Sequence, residues 1–179
     1  MERLTMLGAP ASGKGTQGVR VAGALGVPHV SVGYLLRASI DAGDPFGIQE
    51  TLDSGELVPD EITERLVFPE LGDGFVLDGY PRSLHQAQRL DEHLEEIGLP
   101  LDAAAELDVP DGTLAARLSL RAQEERRSDD TPEVFLHRLA AYHREAEKLR
   151  EHYEGRLIRL DGVGSEEDVF ERILAAIGR

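Results

Sequence analysis

The 179-residue chain carries 34 acidic side chains against 19 Lys and Arg, a formal net charge of −15, and has no cysteine. That charge argues against nucleic acid and anionic membrane surfaces as partners, since both need a basic face, and the missing cysteines exclude disulfides and thiolate metal sites. With 41% hydrophobic residues and no run of about 20 apolar residues, the chain reads as one well-cored domain without a membrane span.

The elements alternate along the chain. Arg3 to Leu7 is a short apolar strand. Gly8 and Pro10 break it at once, so no secretory leader is expected and a cytoplasmic location is. Thr16 to Leu25 predicts a helix, ended by Gly26 and Pro28, and His29 to Ser31 a second strand. Gly33 to Leu71 holds helical pieces but no convincing strand. Gly74 to Leu77 is a third strand that stops at Asp78, and Leu84 to Ile97 a helix closed by Gly98 and Pro100. Ala103 to Val109 is a fourth strand, followed by a helix over Gly112 to Ala122 and a densely charged stretch, Gln123 to Thr131. From Pro132 on, Phe135, Leu139, Tyr142, Ala146, Leu149 and Tyr153 recur at spacings of four and three, giving one apolar helical stripe. Arg156 to Leu160 is a fifth strand and Glu166 to Ile177 a last helix. Strands separated by helices imply an α/β fold with a five-stranded parallel, doubly wound sheet flanked by helices. In such a sheet ligands bind beyond the C-terminal ends of the strands, where the two interruptions could act as lids.

The first of those ends carries "GAPASGKGTQ", Gly8 to Gln17. A glycine-rich turn between strand and helix frees backbone N–H groups to point at an anion, and the helix N-terminus adds partial positive charge. A lysine then reaches the terminal phosphates. The usual pattern places Ser or Thr directly after that lysine; here Gly15 stands there and Thr16 comes one place late. Lys14 and Lys148 are the only lysines, so an acidic phosphate binder of this composition must concentrate arginines locally. Asp78 ends the third strand, where a magnesium-associated carboxylate acting through water would sit. Arg82 follows on the Pro81 turn and suits fork-like phosphate binding. Gln86, one helical turn on, has an amide able to pair with a base edge.

"GAPASGKGTQ", "SGELVPDEIT" and "LDGYPRSLHQA" together resemble the adenylate kinase family of nucleoside monophosphate kinases, in this order and over nearly the whole chain. That family uses a loop with glycine after the lysine, so Gly15-Thr16 matches the family's form. The resemblance implies a P-loop nucleoside triphosphate hydrolase-like fold over 1–179, with a helical monophosphate-binding lid at 31–60 and a short ATP lid at 122–131. It implies reversible transfer of the γ-phosphoryl group of Mg2+–ATP to AMP, with no zinc and a monomeric protein. Gly8, Ala11, Ser12, Gly13, Lys14, Gly15 and Thr16 would bind ATP, with Arg117 and Arg121 covering the donor. Val32, Arg37, Gly55, Leu57, Val58, Gly79, Arg82 and Gln86 would bind AMP, joined by Arg127 and Arg138. Lys14, Arg82, Arg121, Arg127 and Arg138 would be catalytic, and Asp78 would hold the metal through water.

The chain departs from the family's pattern in places. Val32 stands where the family usually has threonine, Tyr34 where it usually has an acid, Ala11 for a common glycine and Arg126 for the glycine before Arg127. Val32 and Tyr34 are expected on the acceptor side, where they would shift base preference. Two alternatives therefore stay open: a related kinase with another acceptor, and a nucleotide-binding paralogue with little catalysis.

Overall fold

In the computed structural model the structure describes residues 1–125 and 131–179, with backbone alone over 120–125. Five parallel strands form one sheet in the order β2-β3-β1-β4-β5. They are β1 (Arg3–Gly8), β2 (His29–Ser31), β3 (Phe75–Asp78), β4 (Ala103–Asp108) and β5 (Leu157–Asp161). The helices between them are α1 (Lys14–Leu25), α2 (Val32–Asp41), α3 (Gln49–Ser54), α4 (Asp60–Val67), α5 (Leu84–Glu96), α6 (Asp111–Glu125), α7 (Pro132–His152) and α8 (Glu166–Ala176). The strands expected from the sequence are all present with ends moved by about one residue, a scatter normal for element boundaries. The uncommitted stretch from Gly33 to Leu71 contains α2, α3, α4 and a 3-10 turn, Phe68–Glu70.

β1 lies at the centre, with Leu4, Thr5, Met6 and Leu7 all buried. A strand covered on both faces needs this unbroken apolar run rather than alternation. One face packs on α2 to α5 and the C-terminal half of α7, through Leu36, Leu52, Leu90, Leu94, Leu149 and Tyr153. The other packs on α1 and α8, through Val21, Ala22, Val169 and Ile173. A smaller cluster joins α6 to the first turns of α7 through Leu114, Leu118, Phe135 and Leu139, next to Ala9. The stripe read from the sequence is thus the buried face of α7; Tyr142 alone is half-buried.

The sheet order fixes where a ligand can sit. The chain leaves β1 for β2 and later returns past β1 to β4, so the crossovers diverge around the C-terminal end of β1. The crevice opens there, and β1, β2 and β3 deliver Gly8, Ser31 and Asp78 to it. Among the described residues, no helix is long and apolar enough to cross a membrane.

Candidate active site

The loop after β1 is shaped by close approach. A Cβ on Gly8 would lie 2.8 Å from Ser12 Oγ and 3.0 Å from the Leu107 carbonyl, and its φ is +142°, so glycine is required there. The Ser12 N–H donates to the Ala9 carbonyl at 3.1 Å, closing the turn. Gly13 caps α1 at φ +94°, with no side chain capping the first turn. By contrast Ser31, Ser83, Thr131 and Ser165 cap α2, α5, α7 and α8. The first-turn amides of α1, in a turn without acidic residues, remain available to an anion. Lys14 Nζ reaches back to the Ala9 carbonyl at 3.1 Å.

Ala11 also has positive φ, +63°. An L-residue in this region costs about 1–2 kcal/mol, which accounts for glycine being common there. Ala11→Gly removes that strain but adds freedom to the unfolded chain, for a net gain of about 0.5 kcal/mol. Urea unfolding of the two proteins measures it; a loss of stability would mean that the methyl group packs usefully against the cluster beneath it.

Gly15 explains the displaced threonine. Its Cβ would lie 3.1 Å from Asp78 Oδ2, so a side chain after the lysine would crowd the carboxylate. Asp78 sits at the end of β3, level with Met6 on β1 and Ser31 on β2. Its Oδ1 is buried without a hydrogen-bond partner. Among the described residues no group of three or more His, Asp or Glu could hold a metal. One carboxylate with an unengaged oxygen beside a phosphate loop suits magnesium, which keeps several waters and takes its other ligands from phosphates. His29 lines the same space. Burial holds its imidazole below the ordinary range, with the Asp78 carboxylate acting in the opposite sense.

On the other side of the crevice three arginines converge. Arg37 lies against Gly33, one turn earlier on α2, whose Cβ would meet its guanidinium at 3.3 Å. Arg82 donates from Nε to the Gly79 carbonyl at 2.8 Å, and Gly79 holds φ +87°. Arg138, on α7, donates to the Leu52 carbonyl at 3.3 Å. Together with Gly8, Ala11, Gly13, Lys14, Gly15, Thr16, Asp78, Gly55, Leu57 and Gly79 they line one cavity of about 610 Å3.

Other expected site residues lie elsewhere. Ser12 and Val58 are buried and outside the lining. Arg117 stands behind the phosphate loop, donating to the Ser12 carbonyl at 2.9 Å and to the Gly162 carbonyl at 2.8 Å. It braces the loop against the turn after β5. Val32 is 2% exposed and packs into the core under α2, away from the cavity. Gln86 is 2% exposed; its Oε1 accepts the Arg82 N–H at 2.7 Å and its Nε2 donates to Asp60 Oδ1 at 2.7 Å. The side chains of residues 120–125, Arg121 among them, and all of residues 126–130, with Arg126 and Arg127, lie outside the described residues.

Sequence reasoning missed a cluster in the cavity wall. Glu106 on β4 is 2% exposed and accepts from the Tyr142 hydroxyl at 2.8 Å, from Arg150 Nε and Nη2 at 3.0 and 2.9 Å, and faces Arg159 Nε at 3.1 Å. Burial, then the bond to Glu106, pushes the Tyr142 phenol up. The bond to Glu106 likewise raises Arg150. Glu106, set among apolar residues in "AAAELD", was the available signal, because a carboxylate on a strand buried on both faces needs partners.

Comparison with known proteins agrees with this geometry. A family model described as adenylate kinase matches residues 6–158. An adenylate kinase of Micrococcus luteus is 44% identical, over 99% of this chain and 91% of its own length. One from Xanthomonas euvesicatoria is 46% identical over 99% of this chain and its full length, and one from Nocardia farcinica 42% identical over 99% of each. The chain is a phosphotransferase and belongs to the adenylate kinase family.

Proposed function

We propose that Mg2+–ATP and AMP occupy the cavity together and that the γ-phosphoryl group passes directly between them, giving two ADP. The observation that carries this reading is the lining. Five basic side chains, Lys14, Arg37, Arg82, Arg138 and Arg150, face two acidic ones, Asp78 and Glu106, in a chain of net charge −15. Local positive charge of this kind is what a triphosphate and a monophosphate bound side by side need.

Lys14 and the loop amides hold the donor phosphates, and Arg37 grips the acceptor phosphate. Arg82 and Arg138 stand between the two and neutralise charge on the transferring group, so that catalysis is positioning and electrostatics. Magnesium, held by Asp78 through water, would neutralise charge on the ATP phosphates. Arg117 orders the loop from behind, and Arg121 and Arg127 complete the donor side. The segments 31–60 and 122–131 act as lids that exclude water on closure. The first of these segments packs against α7: a Cβ on Gly55, at the end of α3, would lie 2.7 Å from the Val134 side chain on the first turn of α7. The reading includes a cytoplasmic monomer, in keeping with the cysteine-free, acidic composition.

A coupled assay with Mg2+–ATP and AMP tests it. ADP should form from ATP and AMP, ATP and AMP should form from ADP, and both directions should stop on chelation of magnesium. Tight ATP binding without phosphorylation of AMP or any other nucleoside monophosphate would make the chain a nucleotide-binding relative instead.

A further inference from the structure

The helix that carries Arg138 is held differently along its length. Its first turns touch the segments that lead to the lids. Val134 lies against Gly55, Arg138 donates to the Leu52 carbonyl at 3.3 Å, and Phe135 and Leu139 pack with Leu114 and Leu118 of α6. Its later turns are fixed to the body of the protein. Glu145 accepts the Leu84 N–H at 3.1 Å, His152 Nε2 lies 2.7 Å from Asp91 on α5, and Leu149 and Tyr153 enter the core.

Tyr142 stands between these two regions, one turn after Arg138, and both side chains line the cavity. Its hydroxyl donates to Glu106 Oε1 at 2.8 Å. Glu106 is level with Leu7 on β1, the strand that ends in the phosphate loop. Its other oxygen accepts Arg150 Nε at 3.0 Å and faces Arg159 Nε at 3.1 Å, so the carboxylate is fixed and cannot swing after the phenol. Apolar packing is non-directional and lets a helix roll about its axis, whereas a hydrogen bond of this length sets a direction. A side chain reaches about 6 Å from a helix axis, so a roll of about 10° would carry the Arg138 head group about 1 Å. A misplacement of about 1 Å at the reacting centre is enough to cost about 10^2-fold in rate.

We propose that Tyr142 and Glu106 are positioning residues for phosphoryl transfer: their hydrogen bond sets the roll of α7 and with it the place of the Arg138 guanidinium at the transferring group. This rests on the reading that Arg138 neutralises charge on that group.

The test is steady-state kinetics with Mg2+–ATP and AMP on the native protein, Tyr142→Phe, Glu106→Gln, Arg138→Ala and the double variant Tyr142→Phe, Arg138→Ala. Urea unfolding of each confirms that it is folded under the assay conditions. Tyr142→Phe keeps the ring and should lower kcat about 10- to 100-fold, with both KM values within about 2-fold of the native ones, since the loss falls on the transition state alone. Glu106→Gln removes the carboxylate that holds the phenol and should show the same split. Arg138→Ala by itself should lower kcat about 10^2-fold. Adding Tyr142→Phe to it should change kcat by less than about 2-fold, because the group that the hydrogen bond places is already gone. A native kcat in Tyr142→Phe overturns the proposal and leaves the bond as a tie of the fold alone. A loss that multiplies in full on the Arg138→Ala background overturns it too, because Tyr142 then acts independently of Arg138. A native kcat in Arg138→Ala removes the reading of Arg138 as well. If Tyr142→Phe does not fold, Glu106→Gln decides by the same outcomes, alone and on the Arg138→Ala background.

Discussion

Arg82→Ala lowers kcat by about 10^3-fold, in line with the loss of a cation from the transferring phosphoryl group. The same substitution removes the hydrogen bond to the Gly79 carbonyl at 2.8 Å, and so costs about 1 kcal/mol of folding stability. Arg82→Lys restores the charge but not the planar fork, and recovers only part of the rate. Initial velocities at saturating ATP and AMP, with urea unfolding of each variant, separate the two roles. If Arg82→Ala unfolds the protein, the residue is an anchor of the turn after β3 and the catalytic assignment fails.

Arg150→Met destabilises the fold by about 3 kcal/mol, because it takes the fork from a buried carboxylate that keeps only the Tyr142 hydroxyl and Arg159. The figure is set at the low end because Arg150 is 24% exposed and water moderates the interaction. The double variant Glu106→Leu, Arg150→Met should be more stable than Arg150→Met alone, since a pair removed together leaves no orphaned charge. Urea unfolding of the four proteins gives the coupling. Additive losses would show that Arg150 acts through its packing on α7, independently of Glu106.

These two residues differ in how they could be read beforehand. Arg82 stands in a short motif after a strand end, and its place in the cavity follows from the strand–turn–helix order. Arg150 sits in a helix rich in Arg and Glu and, with Glu147 at 3.2 Å one turn away, looks like an ordinary solvated charge; only the fold brings it to the buried Glu106, 44 residues away in sequence. Tyr142 was legible as part of an apolar stripe, and the structure turns its hydroxyl onto Glu106 as well.

Arg117 and Gln86 show the same division. Both occupy motif positions that the family resemblance assigns to nucleotides. In the fold, Arg117 is drawn to carbonyls 105 and 45 residues away, and Gln86 to Asp60, 26 residues away. A motif conveys residue type and spacing; whether a side chain faces a ligand or another part of the protein depends on what the packed chain brings against it.

What the sequence determined by itself is therefore local. Apolar runs and helical periodicity set the order of strands and helices, and glycine placement set the phosphate loop, because each depends on neighbours within a turn or two. Tertiary structure alone decided that Gly15 makes room for Asp78, that three arginines from α2, the turn after β3 and α7 line one cavity, and that Glu106 is a buried hub. Those relations join residues far apart in the chain, and they exist only once the parallel sheet has brought the C-terminal ends of its strands together.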